Sequence, residues 1–192
     1  DVCSSDLKFE IKEEIARGGM GVIFKARQQD LDRIVALKVI ISGQLASEEE
    51  IKRFEREARS VAALEHPNIV SIYEVDQIGQ HHYFTMKFID GQDLNDWSQQ
   101  APRSVSEKIR VLSELCEGID YAHRQEIIHR DLKPGNILVN REGRVQIIDF
   151  GLAKKLSGLR TAITGEQLIG TPLYMSPEQL LGDASSAGPR SD

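Results

Sequence analysis

This 192-residue chain has few cysteines, no long apolar run and no excess of basic charge. Its two cysteines, Cys3 and Cys116, form neither a disulfide framework nor a metal-binding spacing, so we expect a reducing, intracellular setting. The longest apolar run, residues 34–41, is interrupted by Lys38 and is far shorter than the roughly 20 residues that span a bilayer. With 24 basic and 30 acidic residues the net charge is −6, which disfavours a nucleic-acid partner. We expect a cytoplasmic chain with no membrane segment of its own, although an anchor outside it is compatible with the sequence.

The rest of the composition is ordinary for a soluble globular protein, with 40% hydrophobic and 28% charged residues. A chain of this length forms one domain or two small ones. The chain does not begin with Met, and its first seven residues resemble one reading frame of a common sequencing adapter. We interpret residues 1–8 as a non-native leader, or alternatively as a native disordered lead-in, and exclude them from the fold.

The first half of the chain has the pattern of a small antiparallel sheet with one helix. Short β-branched and apolar stretches bounded by turn residues predict strands. Apolar residues recur at helical spacing between Glu48 and Leu64, and Ser47 with Glu50 forms a capping-box pattern at the start of that helix. The predicted strands are residues 9–15, 22–27, 33–41, 69–76 and 82–89.

The second half of the chain is mainly helical. A long amphipathic helix is predicted over residues 105–123, and a short hairpin, residues 137–139 and 145–148, turns at Glu142-Gly143. Asp90-Gly91 separates the two patterns and serves as the predicted hinge. The sequence therefore predicts an α+β fold with a β-rich domain at residues 9–89 and a helical domain at residues 90–192.

The densest chemical motif follows the long helix. In His129-Arg130-Asp131-Leu132-Lys133-Pro134-Gly135-Asn136 a carboxylate is followed by a cation and then by an amide, and Asp149-Phe150-Gly151 supplies a second carboxylate. Transfer of a phosphoryl group between oxygens uses this set: a carboxylate that orients the hydroxyl nucleophile, a cation against the phosphoryl charge, and oxygen ligands for Mg²⁺. For any single Asp the alternative is a helix cap or a turn.

These motifs resemble those of the eukaryotic-type (Hanks-type) protein kinase family. The resemblance covers roughly residues 9–192 and implies a bilobal protein-kinase fold, in which a β-rich antiparallel N-lobe with one helix precedes a mainly helical C-lobe. It implies that Asp131 is the base or orienting group for the substrate hydroxyl and that Lys133 contacts the γ-phosphate of ATP. It also implies that Asn136 and Asp149 are the Mg²⁺ ligands.

A glycine-rich turn precedes the third predicted strand. The family pattern Gly-x-Gly-x-x-Gly-x-Val corresponds here to residues 16–23, where Gly18 and Gly21 match while Ala16 and Ile23 depart. Glycines at such positions let backbone N–H groups approach phosphate oxygens. Alone, the motif is equally typical of an ordinary hairpin turn. Its position implies that the loop, Gly19 included, binds ATP, with an affinity that Ala16 weakens.

The stretch Val35-Ala36-Leu37-Lys38 resembles the family's Val-Ala-Ile-Lys. The resemblance implies that Lys38 is aimed at the α- and β-phosphates by an ion pair with a Glu of the first helix. Glu57, in Arg56-Glu57-Ala58, is the partner that we favour among several Glu residues of that helix. The alternative is that Lys38 is an ordinary exposed strand residue.

Residues 83–91 resemble the strand and hinge that lie beneath the adenine ring in this family. The resemblance implies that Met86 is the gatekeeper, that the backbones of Lys87 and Ile89 hydrogen-bond the adenine edge, and that Asp93 meets the ribose or a basic substrate residue. The side chains that would sandwich the adenine, or alternatively only pack in the core, are Ile23, Ala36 and Leu138.

Lys133 and the segment from Gly170 to Glu178 resemble serine/threonine-specific members of the family, in which that segment docks the substrate and Thr171 faces Asp131. Together with residues 17–21 and Pro134-Gly135-Asn136, they resemble bacterial members. The predicted function is an ATP- and Mg²⁺-dependent kinase that transfers the γ-phosphoryl group to Ser/Thr hydroxyls of proteins. Self-association would allow it to phosphorylate itself as well. The alternative is a nucleotide-binding pseudokinase or a regulatory scaffold, which only Ala16 favours.

Regulation by phosphorylation is expected at Thr161 or Thr164. A phosphate there would pair with Arg130 and order the surrounding loop. The alternative is that these Thr residues only solvate a flexible segment.

Two residues beside the catalytic motif receive structural interpretations. His129 is expected to pack against Phe150 rather than to act as a base. Glu126 stands where relatives have Gly in a left-handed turn after the long helix, so we expect a costlier turn without an effect on the chemistry.

The resemblance ends at Asp192, in a residue that anchors the His129 region in the family, so we expect an incomplete C-lobe in which this anchor is weak. We expect the chain to carry every catalytic residue yet to fold poorly and show little activity, because the long helix would lack cover. The side chains expected to lack packing partners are Val111, Leu112, Leu115 and Ile119.

Overall fold

The computed structural model describes residues 8–18, 21–40, 48–78, 81–150, 172–180 and 187–192. The chain divides into two compact units: unit 1 comprises residues 1–46 and 71–88, and unit 2 comprises residues 47–70 and 89–192. The predicted boundary after residue 89 lies one residue from the observed one. Residues 47–70, which the sequence placed in the β-rich domain, group with unit 2.

Unit 1 is a five-stranded sheet in which every pairing is antiparallel. Its strands are β1 (Phe9–Gly18), β2 (Gly21–Gln28), β3 (Arg33–Ile40), β4 (Ile72–Ile78) and β5 (His81–Lys87). Their spatial order is β1-β2-β3-β5-β4, which places β3 in the centre. The central strand is dominated by β-branched and apolar residues, as a buried strand requires.

One face of this sheet carries a small apolar core. The Phe9 and Tyr83 rings meet edge to face, with centroids 5.5 Å apart. The Tyr83 hydroxyl donates to Glu74 at 3.1 Å, and Lys8 pairs with the same carboxylate at 2.7 Å. These contacts join the first strand to β4 and β5. The core comprises Phe9, Ala26, Val35, Leu37 and Tyr83.

Unit 2 contains the helices and a small second sheet. Its helices are α1 (Glu48–Ala62), α2 (Leu94–Gln99), α3 (Val105–Arg124) and α4 (Pro177–Leu180). Its strands, in the spatial order β6-β7-β8, are β6 (Gly91–Asp93), β7 (Ile137–Asn140) and β8 (Val145–Ile147). The α+β organisation predicted from the sequence is confirmed. Within the described residues, no helix combines the length and the apolar character needed to cross a membrane.

The long helix α3 begins and ends at recognisable signals. The Ser104 hydroxyl accepts from the Glu107 N–H at 3.2 Å, and the Glu107 carboxylate accepts from the Ser104 N–H at 2.8 Å, which completes a capping box. Beyond Arg124, Glu126 adopts φ 59°, so the left-handed turn expected at this position is confirmed.

The buried face of α3 differs from the expected one. Val111 is buried, although we expected it to lack cover, whereas Leu112 is 56% exposed in line with that expectation. The buried positions also include Glu114, Gly118 and Ala122. A Cβ on residue 118 would lie 2.7 Å from Cδ1 of Ile147, so Gly118 allows α3 to approach β8 closely.

One predicted strand is shorter than expected because its first residues belong to unit 2. The predicted strand at residues 69–76 begins at Ile72 instead, because Ile69 forms a parallel bridge with Ile147 and the Val70 N–H donates to the Ile147 carbonyl at 3.0 Å. The short elements β6 and α2 were not predicted from the sequence. They are three and six residues long, too short for a periodic pattern to stand out.

Candidate active site

The loop after α3 brings together two of the predicted catalytic residues, Asp131 and Lys133, and the predicted Mg²⁺ ligand Asn136. The Asn136 side-chain NH₂ donates to the Asp131 carbonyl at 2.7 Å and to Asp131 Oδ2 at 3.0 Å. The Lys133 ammonium lies 3.0 Å from the same Oδ2. A 3₁₀ turn over Pro134–Asn136 folds the amide back onto the carboxylate. The Asp131 side chain stays 17% exposed and Lys133 28%, so both remain within reach of a substrate.

Asp149, the second predicted carboxylate, follows β8. The Ile148 N–H donates to the Asn136 carbonyl at 3.0 Å, which ties the residue before Asp149 to the residue that carries the predicted amide ligand. Asp149 adopts φ 57°, a left-handed conformation that a non-glycine residue takes only when its surroundings impose it.

The donor chemistry of Asn136 and Asp149 fits Mg²⁺. Both hydrogens of the Asn136 amide point to Asp131, so its Oδ1 is the atom that remains for a cation. Mg²⁺ prefers hard oxygen ligands and is usually held by one or two carboxylates plus phosphates and water. The described residues contain no group of three or more His, Cys, Asp or Glu side chains that could hold a metal ion.

His129 is a buried structural residue, as the sequence analysis expected. Its ring packs against Phe150 with centroids 4.6 Å apart. Its Nδ1 accepts from the Asp131 N–H at 3.3 Å, so the ring proton sits on Nε2 and is donated to the Ile148 carbonyl at 2.9 Å. Burial lowers the pKa of His129, which keeps the imidazole neutral.

Asp192 secures the start of the same loop. Its fully buried carboxylate accepts from the His129 N–H at 2.6 Å, the Arg130 N–H at 2.7 Å and His123 Nε2 at 2.9 Å. The expected anchor is therefore present, with three hydrogen bonds in place of the weak contact that we expected. Arg130 takes φ 65° and is a second strained residue, directly before Asp131.

In unit 1, strand register places several of the residues predicted to contact the nucleotide on one face of the sheet. Lys38 lies opposite Ile23 on β2 and opposite Phe84 on β5, and Ala36 lies opposite Met86. Residues directly opposite share a face, and alternate residues of one strand do so too. Ala16, opposite Ile23, joins the same face.

The glycines of the turn differ in their surroundings. A Cβ at Gly21 would lie 2.3 Å from the Val39 carbonyl oxygen, so glycine is required there by the close approach of β3. A Cβ at Gly18 would meet nothing within 4 Å. Of these two described glycines, Gly18 keeps open space beside its backbone, and the expected approach of phosphate to both stays a prediction.

Near the predicted hinge, some polar groups of the predicted nucleotide-binding residues form hydrogen bonds within the protein. The Lys87 N–H already donates to the Ser71 carbonyl at 3.0 Å, so any adenine contact by Lys87 would involve its carbonyl oxygen. In unit 2, Asp93 Oδ1 caps α2 by accepting from the N–H groups of Asn95 and Asp96 at 2.8 and 2.9 Å. Asp93 also lies opposite Leu138 in the β6–β7 pair, while Ile89 is half-buried before β6.

Some predicted functional residues lie in different units or outside the described residues. Lys38 and Glu57 belong to different units, and their ion pair stays a prediction. Gly19, Thr161, Thr164 and Thr171 lie outside the described residues.

Sequence reasoning missed two polar residues that hold the site. Glu114 accepts from the Val145 N–H at 2.9 Å and from the Asn68 amide at 3.3 Å, and thereby fixes the start of β8. Gln179 donates to the Arg130 carbonyl at 2.9 Å. The only sequence signal for Glu114 was its position, one helical turn after Val111, which is buried. Nothing in the sequence pattern pointed to Gln179.

Comparisons with known proteins identify the family of the chain. The family model described as the protein kinase domain matches residues 9–192. Similar curated proteins include the probable serine/threonine-protein kinase PknB of Lactococcus lactis, 42% identical over 188 residues, and the serine/threonine-protein kinase PrkC of Bacillus subtilis, 35% identical over 176 residues. These matches cover 96% and 91% of this chain but only 29% and 27% of the two relatives.

Among solved structures, the kinase domain of Mycobacterium tuberculosis PknI shares the fold, with a TM-score of 0.74 at 23% identity over 96% of this chain and 67% of that chain. The predicted protein-kinase fold is therefore confirmed. The chain belongs to the protein kinase family, and its similarity to bacterial serine/threonine kinases, predicted from the sequence, is confirmed as well.

Proposed function

We propose that this member of the protein kinase family transfers the γ-phosphoryl group of ATP to Ser/Thr hydroxyls of proteins. The observation that carries the proposal is the Asp131–Lys133–Asn136 cluster, in which a partly exposed carboxylate is held by an amide and an ammonium, both within 3.0 Å of its Oδ2. The serine/threonine kinases named above support the choice of acceptor.

In this proposal each residue of the chain has a separate task. Asp131 orients the acceptor hydroxyl and takes up its proton, while Lys133 stabilises charge on the transferred phosphoryl group. Asn136 Oδ1 and the Asp149 carboxylate would hold Mg²⁺, which neutralises the phosphate charge when bound. In unit 1, the shared face of Ile23, Ala36, Lys38 and Met86 would receive the nucleotide. The Lys38–Glu57 ion pair is part of the same proposal.

Further parts of the proposal rest on the function itself. The chain would accept itself as a substrate when two copies meet, and protein segments that carry Ser or Thr would be its partners. We also propose a cytoplasmic location, because ATP is the phosphoryl donor and two cysteines without a disulfide pattern suit a reducing compartment.

The test is phosphoryl transfer from labelled ATP by parent and variant chains. Asp131→Asn and Lys38→Met should each reduce the rate by about 10³-fold or more, since each removes charge from the reacting centre. Asp149→Ala should also lose Mg²⁺-dependent ATP binding, measured by calorimetry. The matched control is Asp120→Asn, which should retain the parental rate. The Asp120 side chain, on α3, is 60% exposed and pairs with Arg124.

Two results would contradict the proposal. Parental activity in Asp131→Asn would remove Asp131 from the reaction. Tight ATP binding by the parent without any transfer to protein would instead favour a nucleotide-binding pseudokinase.

A further inference from the structure

The catalytic carboxylate depends on how one peptide plane is held. The carbonyl of Arg130 and the N–H of Asp131 belong to the same rigid plane. Rotation about the Cα–C bond of Arg130 turns this plane, moves the Cα of Asp131 and redirects its carboxylate. Because Arg130 adopts φ 65°, a strained conformation for a residue with a side chain, the plane keeps its orientation only if neighbouring groups hold it.

Both polar groups of that plane are engaged. The Asp131 N–H donates to His129 Nδ1 at 3.3 Å. Both residues belong to residues 129–136, which we call the catalytic loop. The Arg130 carbonyl accepts from Gln179 Nε2 at 2.9 Å, across 49 residues of sequence. Gln179 therefore supplies the hydrogen bond to the plane from outside the loop.

The other end of the Gln179 amide is engaged as well. Its Oε1 accepts from the Ser176 N–H at 3.1 Å, at the start of α4. With one end donating and the other accepting, the orientation of the amide is fixed by its partners. Glu178, the residue before it, accepts from the Ser191 hydroxyl and so gives the segment a separate attachment.

We propose that Gln179 is a positioning residue that couples residues 172–180 to the catalytic loop and sets the direction of the Asp131 carboxylate. The inference rests on the proposed kinase function, in which residues 170–178 dock the protein substrate. The Gln179 amide then bonds both to the docking segment, at Ser176, and to the peptide group between Arg130 and Asp131. These two bonds keep the acceptor hydroxyl aligned with its base.

The kinetic prediction separates the protein substrate from ATP. Gln179→Leu keeps a similar size but can make neither hydrogen bond. It should lower kcat/KM for a protein substrate by about tenfold or more, because small misplacements of a reacting group are costly. The KM for ATP should change less than about twofold. Gln100→Leu is the matched control, since the exposed Gln100 side chain accepts from the Gln92 amide at 2.6 Å, and this variant should behave as the parent does.

Gln179→Glu provides a readout that a general loss of structure would not reproduce. Its carboxylate can still accept from the Ser176 N–H but repels the Arg130 carbonyl. The protonated acid can donate to that carbonyl again, so the rate of this variant relative to the parent at the same pH should rise as pH falls from about 8 towards about 5.5. A ratio that stays flat with pH would overturn the proposed donor role.

Hydrogen exchange supplies a measurement that needs no turnover. Exchange of backbone amides in residues 128–133 should accelerate several-fold in Gln179→Leu and remain parental in Gln100→Leu. Parental exchange together with parental kcat/KM in Gln179→Leu would overturn the inference. Absence of transfer by the parent and by Gln100→Leu alike would count against the proposed function instead, and the exchange result would then decide the role of Gln179 alone.

Discussion

Replacement of Glu114 by Gln should cost this protein a large share of its stability. The Glu114 carboxylate is buried on α3 and accepts from the Val145 N–H at 2.9 Å, the Asn68 amide at 3.3 Å and Arg144 at 2.7 Å. The Arg144 side chain is 64% exposed, so that ion pair contributes little. Each remaining hydrogen bond to a charged acceptor is worth about 1.5–3 kcal/mol.

The expected loss follows from what Gln can still do at residue 114. Asn68 and Val145 donate to the same oxygen, Oε2, so the Gln oxygen can accept from both only as a weaker, neutral acceptor, while its NH₂ group then faces the Arg144 guanidinium. We expect the free energy of unfolding to fall by about 2–3 kcal/mol, and the melting temperature by about 5–10 °C for a chain of this size. Urea unfolding followed by circular dichroism measures the change as a lower midpoint with an unchanged slope.

A control on the same helix separates charge from position. Glu117→Gln removes an equally charged but exposed side chain three residues later and should change stability by less than about 0.5 kcal/mol. A Glu114→Gln variant as stable as Glu117→Gln would refute the assignment of Glu114 as the anchor of β8.

The effect should also depend on pH. Burial raises the pKa of Glu114, but hydrogen bonds from the Val145 N–H and Arg144 outweigh it and hold the pKa below its ordinary value of 4.5. Because the folded-state pKa lies below the unfolded one, the stabilisation is complete above about pH 4.5 and is lost as pH falls through the folded-state pKa. The stability gap between parent and Glu114→Gln should therefore be full at neutral pH and shrink in acid. A gap that widened below about pH 4.5 would contradict this sign.

Two further substitutions should stabilise the fold. Thr85 is fully buried, and its hydroxyl has no hydrogen-bond partner among the described residues, so Thr85→Val should raise the free energy of unfolding by about 1–2 kcal/mol, while the reverse change Val35→Thr in the same sheet should lower it. Equal stability of Thr85→Val and the parent in urea titrations would show that the hydroxyl is satisfied. Glu126 adopts φ 59°, so Glu126→Gly should gain about 1 kcal/mol in calorimetry, whereas Glu126→Ala should gain nothing; equal gains in both would exclude relief of backbone strain as the cause.

Local spacing explains why part of the site could be predicted from the sequence. Asp131, Lys133 and Asn136 lie within six residues, and a 3₁₀ turn over Pro134–Asn136 is enough to bring them together. The common face of Ile23, Ala36 and Met86 likewise follows from strand periodicity once the register is known.

The contacts that hold the site are long-range, and the sequence pattern did not indicate them. Glu114 meets Asn68 across 46 residues, and Gln179 meets Arg130 across 49. The apolar pattern of α3 suggested Leu112 as a packing residue, but the helix turns Glu114 and Gly118 inward instead. A small residue and an anchored carboxylate bring α3 closer to β8 than a larger apolar side chain at residue 118 would, since even a Cβ there would clash with Ile147.

Around Asp131 the backbone is restrained while the side chain stays partly exposed, which suits the substrate contact that we propose for it. Arg130 and Asp149 both adopt left-handed conformations that cost about 1–2 kcal/mol each for residues with side chains. The chain sustains this strain through hydrogen bonds to backbone groups: Asp192 and Gln179 hold Arg130, and the Asn136 carbonyl holds the residue before Asp149. Because the backbone carries the restraint, the Asp131 carboxylate can stay partly exposed. In the proposed reaction, an acceptor hydroxyl would then approach Asp131 without displacing a buried side chain.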